Sequence, residues 1–478
     1  MFRLLETFND FLWGYLLVGL LAACALYFSI RSGFVQFRLF PQMCKLLFGG
    51  EANRAVKEKA SENAQAGKGK EKKSISSFQA FAVSLASRVG TGNLAGVASA
   101  IVVGGPGAVF WMWVMALFGA ATSFVESTLA QLYKIKGKDS FVGGPAYYMQ
   151  FGLGKRWMGI IFAVLITMTF GLANSMMQTN TICSALENSF GFKPIVSGIA
   201  LAALTCLIIF GGIRSISRVS SVIVPIMAVG YLLLAIFVVV TNFTKIPDVL
   251  ALIFRSAFGW EQAVGGGIGA AVMQGFRRGL FSNEAGEGSA PNAAAVADVN
   301  HPVEQGLVQA LGVFVDTLVV CSCTAFIILV SGAPLDGTLD GINLTQGALQ
   351  NEVGGAAVLF VTLAILFFAF SSVLGNTYYG EANIRFMSGK KWLMTAYRVF
   401  VCVMVFLGSL VSLSTAWTII DIMMGLLTLC NLIAIVPLSR RAFVLLKDYV
   451  AQLSSGKQPA FHKTSLEAKE QTGISLWD

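Results

Sequence analysis

Two short stretches of the chain place polar backbone and side-chain groups where an uninterrupted apolar helix would offer none. Ser84 to Gly96 reads Ser-Leu-Ala-Ser-Arg-Val-Gly-Thr-Gly-Asn-Leu-Ala-Gly, and Gly275 to Pro291 reads Gly-Phe-Arg-Arg-Gly-Leu-Phe-Ser-Asn-Glu-Ala-Gly-Glu-Gly-Ser-Ala-Pro. A helix in lipid must satisfy its own backbone, so Gly90 to Asn93 and Gly286 to Ser289 are tolerated only where freed groups face protein, water or a ligand. Unwinding around Gly90, Thr91, Gly92 and Asn93 would leave amides for a carboxylate and carbonyls for a small cation, with Thr91 and Asn93 adding oxygen ligands. The competing reading is close helix packing by small residues. Two glycines flanking a threonine and followed by asparagine exceed what packing needs.

The second stretch carries Arg277, Arg278, Glu284 and Glu287, which are costly in a span unless they face a cavity, one another or the inner interface. Pairing among themselves would make them scaffolding for an unwound segment, and the arginines are also able to snorkel inward. Phe276, Phe281, Ser282 and Asn283 suit pocket walls, since an aromatic lid and small polar groups fix a compact solute. Arg88, Glu126, Asp316 and Asp421 are ionisable residues isolated in apolar runs. Each reads either as a functional group or as one member of a buried ion pair. Asn174 and Gln178 lie one helical turn apart, on one face that could line a cavity. Ser371 and Ser372 offer hydroxyl oxygens to a sodium ion or to interhelical hydrogen bonds.

Composition narrows the setting in which these groups work. The 478 residues are 55% hydrophobic and 12% charged, with mean hydropathy +0.71, too little charge to cover a soluble protein of this size. The net charge of +9 comes from Lys and Arg gathered in short loops and polar tails, an orientation signal rather than a nucleic-acid face. Cys24, Cys206, Cys321, Cys323, Cys402 and Cys430 lie in apolar runs, and no Cys-x-x-Cys occurs. They read as small core residues, and His301 and His462 give a zinc site or His-based catalysis little to work with. Leu21 to Cys24 resembles a lipoprotein processing site, but Glu6 and Asp10 beside Arg3 make a poor basic leader, so cleavage is not expected. With no nucleophile and base in a recognisable arrangement, an enzyme is not expected. Broken helices near the midplane suit a carrier better than an open channel.

The elements that must position these groups are apolar runs of about 20 residues. Eleven spans are expected: Leu12 to Ile30, Phe78 to Gly105, Ala108 to Tyr133, Trp157 to Thr181, Ile195 to Gly212, Val219 to Thr241, Gly265 to Ala295, Gln305 to Ser331, Gly354 to Tyr379, Leu393 to Leu413 and Trp417 to Val436. Alternate loops hold Lys134, Lys136, Lys138, Lys155 and Arg156, then Arg214 and Arg218, then Arg385, Lys390 and Lys391, whereas Gly332 to Gly355 has no basic residue. The amino terminus is therefore expected outside and the carboxyl terminus in the cytoplasm.

The organisation expected is an extra span (1–30), a basic connector (31–77), five helices (78–242), an extracellular loop (243–264), five more helices (265–437) and a cytoplasmic tail (438–478). The connector's Glu51 to Ser77 is too polar to bury a core, while Phe34 to Phe48 could form an amphipathic helix on the lipid surface. Each five-helix block opens on a glycine-broken helix. Because five is odd, the blocks cross in opposite senses, as an inverted repeat requires. The fold class expected is an all-α polytopic membrane protein with two discontinuous helices.

Thr91-Gly-Asn-Leu-Ala-Gly-Val-Ala98, followed by Gly104-Gly-Pro-Gly-Ala-Val-Phe-Trp-Met-Trp113, resembles the signature of the alanine or glycine:cation symporter family. Gly279 to Pro291 is similar to that family's second characteristic stretch. The resemblance implies a leucine-transporter-like fold in a prokaryotic inner membrane, moving alanine, glycine or a similar small neutral amino acid with sodium and needing no cofactor. It also implies that the amino acid sits among Gly90 to Asn93 and Phe276 to Asn283. Asn93 is similar to the sodium-ligating Asn of the Gly-x-Gly-Asn in neurotransmitter:sodium symporters. The rival within transport is proton coupling through Glu126, Asp316 or Glu284.

Overall fold

The computed structural model describes residues 2–48, 75–137, 140–210, 213–259 and 267–477. Outside them lie most of the polar connector, Lys138, Gly212, the end of the 243–264 loop and the start of the second broken segment at Gly265. The described chain is almost entirely helical, with one two-stranded hairpin pairing Ile135–Lys136 with Phe141–Val142.

In chain order the helices that matter are α1 (Arg3–Arg31), α2 (Phe40–Phe48), α3 (Ser77–Arg88), α4 (Gly92–Gly104), α5 (Gly107–Leu132), α6 (Arg156–Phe190), α7 (Pro194–Ile209), α8 (Ile213–Thr241), α9 (Ile246–Ala257), α10 (Ile268–Asn283), α11 (Ala290–Ala294), α12 (Pro302–Val330), α13 (Ile342–Val353), α14 (Gly355–Met387), α15 (Lys391–Gly408) and α16 (Leu413–Ser454). Seven of the described helices are long and apolar enough to cross a bilayer, or eight if the pair bent by 77° between α8 and α9 counts as one span. The chain is thus a multi-pass membrane protein. The expected spans beyond those lie on the two broken helices, whose halves are individually short, and on α7, which has 16 residues.

Several boundaries differ from the expectation. The span expected to end at Val436 continues through Pro437 to Ser454, a helix of 42 residues. At 1.5 Å per residue that is about 63 Å, twice the hydrocarbon thickness, so α16 projects well beyond it. The expected 243–264 loop holds helix α9, which packs on α5. Phe40–Phe48 lies against α12 with Met43, Leu46 and Leu47 buried, and Phe37 and Phe40 meet Phe314, so its apolar face is covered by protein.

Both broken helices run through the centre. α5 packs against α10 and α12, α4 against α10, and α14 against α3, α6 and α8. Residues 80–101 are buried almost without exception, polar ones included. A helix surrounded on all sides by other helices can carry Ser84, Ser87, Arg88, Thr91 and Asn93 only if each finds a partner.

Candidate functional site

The first break is two residues long. α3 ends on Val89, which is extended (φ −75°, ψ 100°), and the helix resumes at Thr91. Its freed amides are taken by neutral side chains: Gly90 N–H donates to Asn93 Oδ1 (2.9 Å) and Thr91 N–H to Gln178 Oε1 (3.0 Å). Gln178 is set by Asn174, whose Oδ1 accepts from Gln178 Nε2 at 2.8 Å. The freed carbonyls gather around one hydroxyl. Ser372 Oγ lies 3.0 Å from Ala86 O, 3.1 Å from Val89 O and 3.0 Å from Phe368 O. A methyl on Gly90 would run into Ser372 and Gln178, so the close approach of α6 and α14 depends on glycine there.

The second break is longer and is held by charge. Glu284 is left-handed (φ 56°), and Gly286 and Gly288 have φ of +94° and +84°. A left-handed non-glycine residue persists only when its surroundings over-determine it. Glu284 accepts from Ser87 Oγ (2.7 Å) and Ser289 Oγ (2.5 Å), tying one break to the other. Gly286 N–H donates to Glu126 Oε1 (3.2 Å), and Asn431 Nδ2 donates to both Glu126 Oε2 (2.8 Å) and Gly286 O (2.9 Å). Tyr148 in turn hydrogen-bonds Asn431. Asn283 Oδ1 accepts from Ala285 N–H at 3.0 Å, closing the turn locally.

Between the two breaks sits a carboxylate. Asp316 Oδ1 accepts from Asn93 Nδ2 (2.7 Å), while its Oδ2 accepts from Ser282 Oγ (2.6 Å) and Thr317 Oγ1 (3.0 Å). Asn93 Nδ2 also reaches Ser282 Oγ at 3.0 Å. The carbonyl of Asn93 accepts from Thr324 (2.6 Å), and that of Leu94 from Thr345 (3.2 Å). Three π-helical turns frame this cluster: Gly92–Gly96, Thr169–Asn174 and Phe314–Cys321, contributing Asn93, Asn174 and Asp316 respectively. A π turn widens the helix by one residue and pushes polar groups out of the α register, an arrangement frequent at functional sites.

The sequence expectations divide accordingly. Gly90, Thr91, Gly92, Asn93, Asn174, Gln178, Phe281, Ser282 and Asn283 are brought together, with Gly92 so close to Ser282 that a methyl there would meet its Cα at 3.0 Å. Phe281 packs its ring on Trp417 (5.0 Å between centroids), over Gly96. Phe276 is not part of this group. It lines a small apolar cavity of about 170 Å³ with Ala22, Leu26, Met115 and Phe118, on the far side of α10. Ser372 reaches α3, whereas among the described residues Ser371 bonds only Phe368 O within its own helix (2.8 Å). As placed, Asn93 also turns its side-chain oxygen to Gly90 rather than leaving it for a cation.

The four charges of the second stretch do not pair among themselves. Arg278 makes a bidentate pair with Asp421 (3.1 and 2.7 Å) and stacks on Trp417, 3.7 Å from the ring centre. Arg277 shares the same carboxylate at 3.5 Å and reaches Asp10 at 3.8 Å. Nor do these arginines lie on the side of the basic loops. They line a cavity of about 680 Å³ together with Glu6, Asp10, Asp340, Ser412 and Trp417, on the face that carries the amino terminus. Arg88 is buried against Gln309 O (3.1 Å) and Ser123 Oγ (3.4 Å), with Glu126, Glu284 and Asp316 close enough to feel its charge.

A fold likeness is seen to the crystal structure of a manganese transporter mutant of Eremococcus coleocola, with a TM-score of 0.52 at 13% identity over 80% of this chain and 81% of that one. Among relatives, the amino-acid carrier protein AlsT of Bacillus subtilis is 52% identical over 95% of this chain and 93% of its own length. The probable sodium/glutamine symporter GlnT of the same organism is 50% identical (98% and 94%), and the sodium/alanine symporter AgcS of Methanococcus maripaludis is 39% identical (91% and 94%). The profile of the sodium:alanine symporter family matches residues 1–463, and the chain belongs to that family.

Proposed function

We propose that the protein is a sodium-coupled symporter of alanine, glycine or a similar small neutral amino acid, working in the cytoplasmic membrane of its cell. The observation that carries the reading is the carboxylate of Asp316 held between two helix breaks by Asn93, Ser282 and Thr317. The hydroxyl oxygens of Ser282 and Thr317 beside a buried carboxylate suit a small hard cation. Ser372 with the Ala86, Val89 and Phe368 carbonyls makes a second oxygen cluster of the same kind. The amino acid's carboxylate would take the amides of Gly90 and Thr91, displacing the weaker neutral acceptors Asn93 and Gln178, and Phe281 with Trp417 would cover its side chain.

In this reading sodium orders the first break and thereby raises affinity for the amino acid. Linkage of about 1 to 3 kcal/mol, a mutual effect of roughly 5- to 150-fold, is typical of such coupling. The ten expected spans after α1, with α3–α4 and α10–α11 each counted as one, would form an inverted 5+5 repeat, with the amino terminus outside and the basic face in the cytoplasm. That assignment is supported by the shared face of the amino terminus, Asp340 and Ser412, opposite Lys134, Arg385 and Arg441.

A second reading is proton coupling, favoured by one observation: Glu126, Glu284 and Asp316 are all buried within reach of the charge of the buried Arg88. Three buried carboxylates against one guanidinium leave negative charge that a proton could neutralise. A relative at 40% identity, from Bacillus subtilis, bears the name putative sodium/proton-dependent alanine carrier protein YrbD. Uptake of labelled alanine, glycine and glutamine into proteoliposomes separates the readings. Accumulation is expected under an inward sodium gradient at clamped voltage and pH. Accumulation under a pH gradient with potassium replacing sodium would overturn the sodium assignment.

A further inference from the structure

The residues after α16 turn back and lie across the basic face. Gly456 (φ +72°) begins the return, and Gln452 fastens it through Ala460, donating to its carbonyl and accepting from its amide, each at 2.9 Å. Phe461 N–H then donates to Asn300 O (3.0 Å), and the Phe461 ring sits between His301 (5.6 Å) and Trp477 (5.5 Å). Glu467 and Glu470 both pair with Arg440 (3.2 and 3.5 Å). Trp477 Nε1 donates to Gln131 O (3.2 Å) at the end of α5, and Lys134 lies 4.9 Å from the Trp477 ring while donating to Ala297 O at 2.8 Å. Phe461, Leu466, Ile474 and Trp477 are buried. A polar tail that buries four apolar side chains at spaced positions is a docked segment, not a solvated one.

We propose that residues 455–477 are a strap that holds the basic face shut, and that it must let go each time the site opens toward that face. This rests on the transport reading above. The strap joins two groups of elements. On one side are the end of α5 and the residues after it, through Gln131 and Lys134, and the chain that follows the second broken helix, through Asn300. On the other are α16, through Arg440 and Gln452, and the 148–152 segment, where Gly473 abuts the Phe151 backbone. Any parting of those ends from α16 at the basic face therefore stretches it.

The strap also stands at the end of a buried polar run. From the breaks, Ser84 donates to Gln309 (2.7 Å), Gln305 and Thr128 are fully buried, and the Gln131 side chain holds Ala294 O and Ala297 O. Trp477 caps the last member of that run. His301 anchors the strap's middle: its Nδ1 accepts from Val303 N–H (3.1 Å), which leaves Nε2–H to donate to Asp448 (3.3 Å). Burial holds the imidazole below its ordinary pKa, so it stays neutral in this role.

The test uses the full chain in proteoliposomes. Asn300→Cys with Phe461→Cys places two thiols where the backbones already touch. Oxidation should stop uptake and dithiothreitol should restore it, with oxidised wild type as the control for native cysteines. Phe461→Ala with Trp477→Ala should raise the initial rate about threefold by shifting the closed population. It should also speed hydrogen exchange at Ser84 to Asn93, which the strap does not touch. Undiminished uptake by the oxidised double-cysteine protein, or unchanged exchange at 84–93 in the alanine variant, would overturn the proposal. If the alanine variant does not fold, the cross-link decides alone. If wild type moves no amino acid with any cation, the transport reading fails, and the exchange measurement still judges the strap.

Discussion

The two breaks solve one problem in different ways. The first, at Val89–Gly90, is short, and its freed amides are held by the uncharged acceptors Asn93 and Gln178. The second, Glu284 to Ser289, is long, strained at Glu284, and held by Glu126, Asn431 and the serines that clasp Glu284. Neutral acceptors exchange readily for a better one, whereas a charged partner buried with its complement is costly to remove. Under the proposed function, the contrast gives ligand exchange to the first break and rigidity to the second.

The sharpest way to break this comparison is at the group between the two breaks. Asp316→Asn keeps the shape and removes the charge. Sodium activation of uptake should weaken about 100-fold, the upper end for loss of a tuned metal-site group, with folding retained by melting in detergent. Undiminished activation would move the cation elsewhere. Next in size, Glu126→Ala would leave the Gly286 amide and Asn431 without their acceptor and should cost about 2 to 3 kcal/mol of stability. Glu126→Gln should cost less and still transport. A stable Glu126→Gln protein that binds but no longer transports would instead make Glu126 the proton carrier. Smallest, Ser372→Ala should raise the sodium concentration for half-maximal uptake about fivefold, equivalent to about 1 kcal/mol for one oxygen contact, while Ser371→Ala should leave it unchanged.

The breaks themselves were legible, because glycine pairs inside apolar runs have few other uses. Which neighbours face them was legible only in part. Phe276 and Phe281 stand five residues apart, about 140° around a helix of 3.6 residues per turn, so only one of them can look into the site. Adjacent Ser371 and Ser372 differ by about 100°, with the same consequence. The pairing of Arg277 and Arg278 with Asp421 bridges 143 positions for Arg278, beyond anything local spacing reveals. The run of four charges in one stretch suggested instead that they satisfy one another. Asp316 was visible as an isolated acid but not as the centre of the cluster, since a π turn has no residue signature comparable to glycine or proline. The span count suffered from the same physics. A helix interrupted at a site is two short helices by length and composition, and only its packing shows that the halves belong together.

One feature of α12 reaches beyond this site. The wide turn Phe314–Cys321 contains one residue more than an α path needs, so residues on its two sides follow different rotational phases. Aligning the helix in a single phase would misassign its far half by about 100°. Deleting one residue in that turn would return the helix to regular winding and rotate Thr324, which now holds the Asn93 carbonyl, away from its partner. In evolutionary terms, a single-residue insertion is enough to turn an ordinary spanning helix into one that presents Asp316 and Thr324 to the same point.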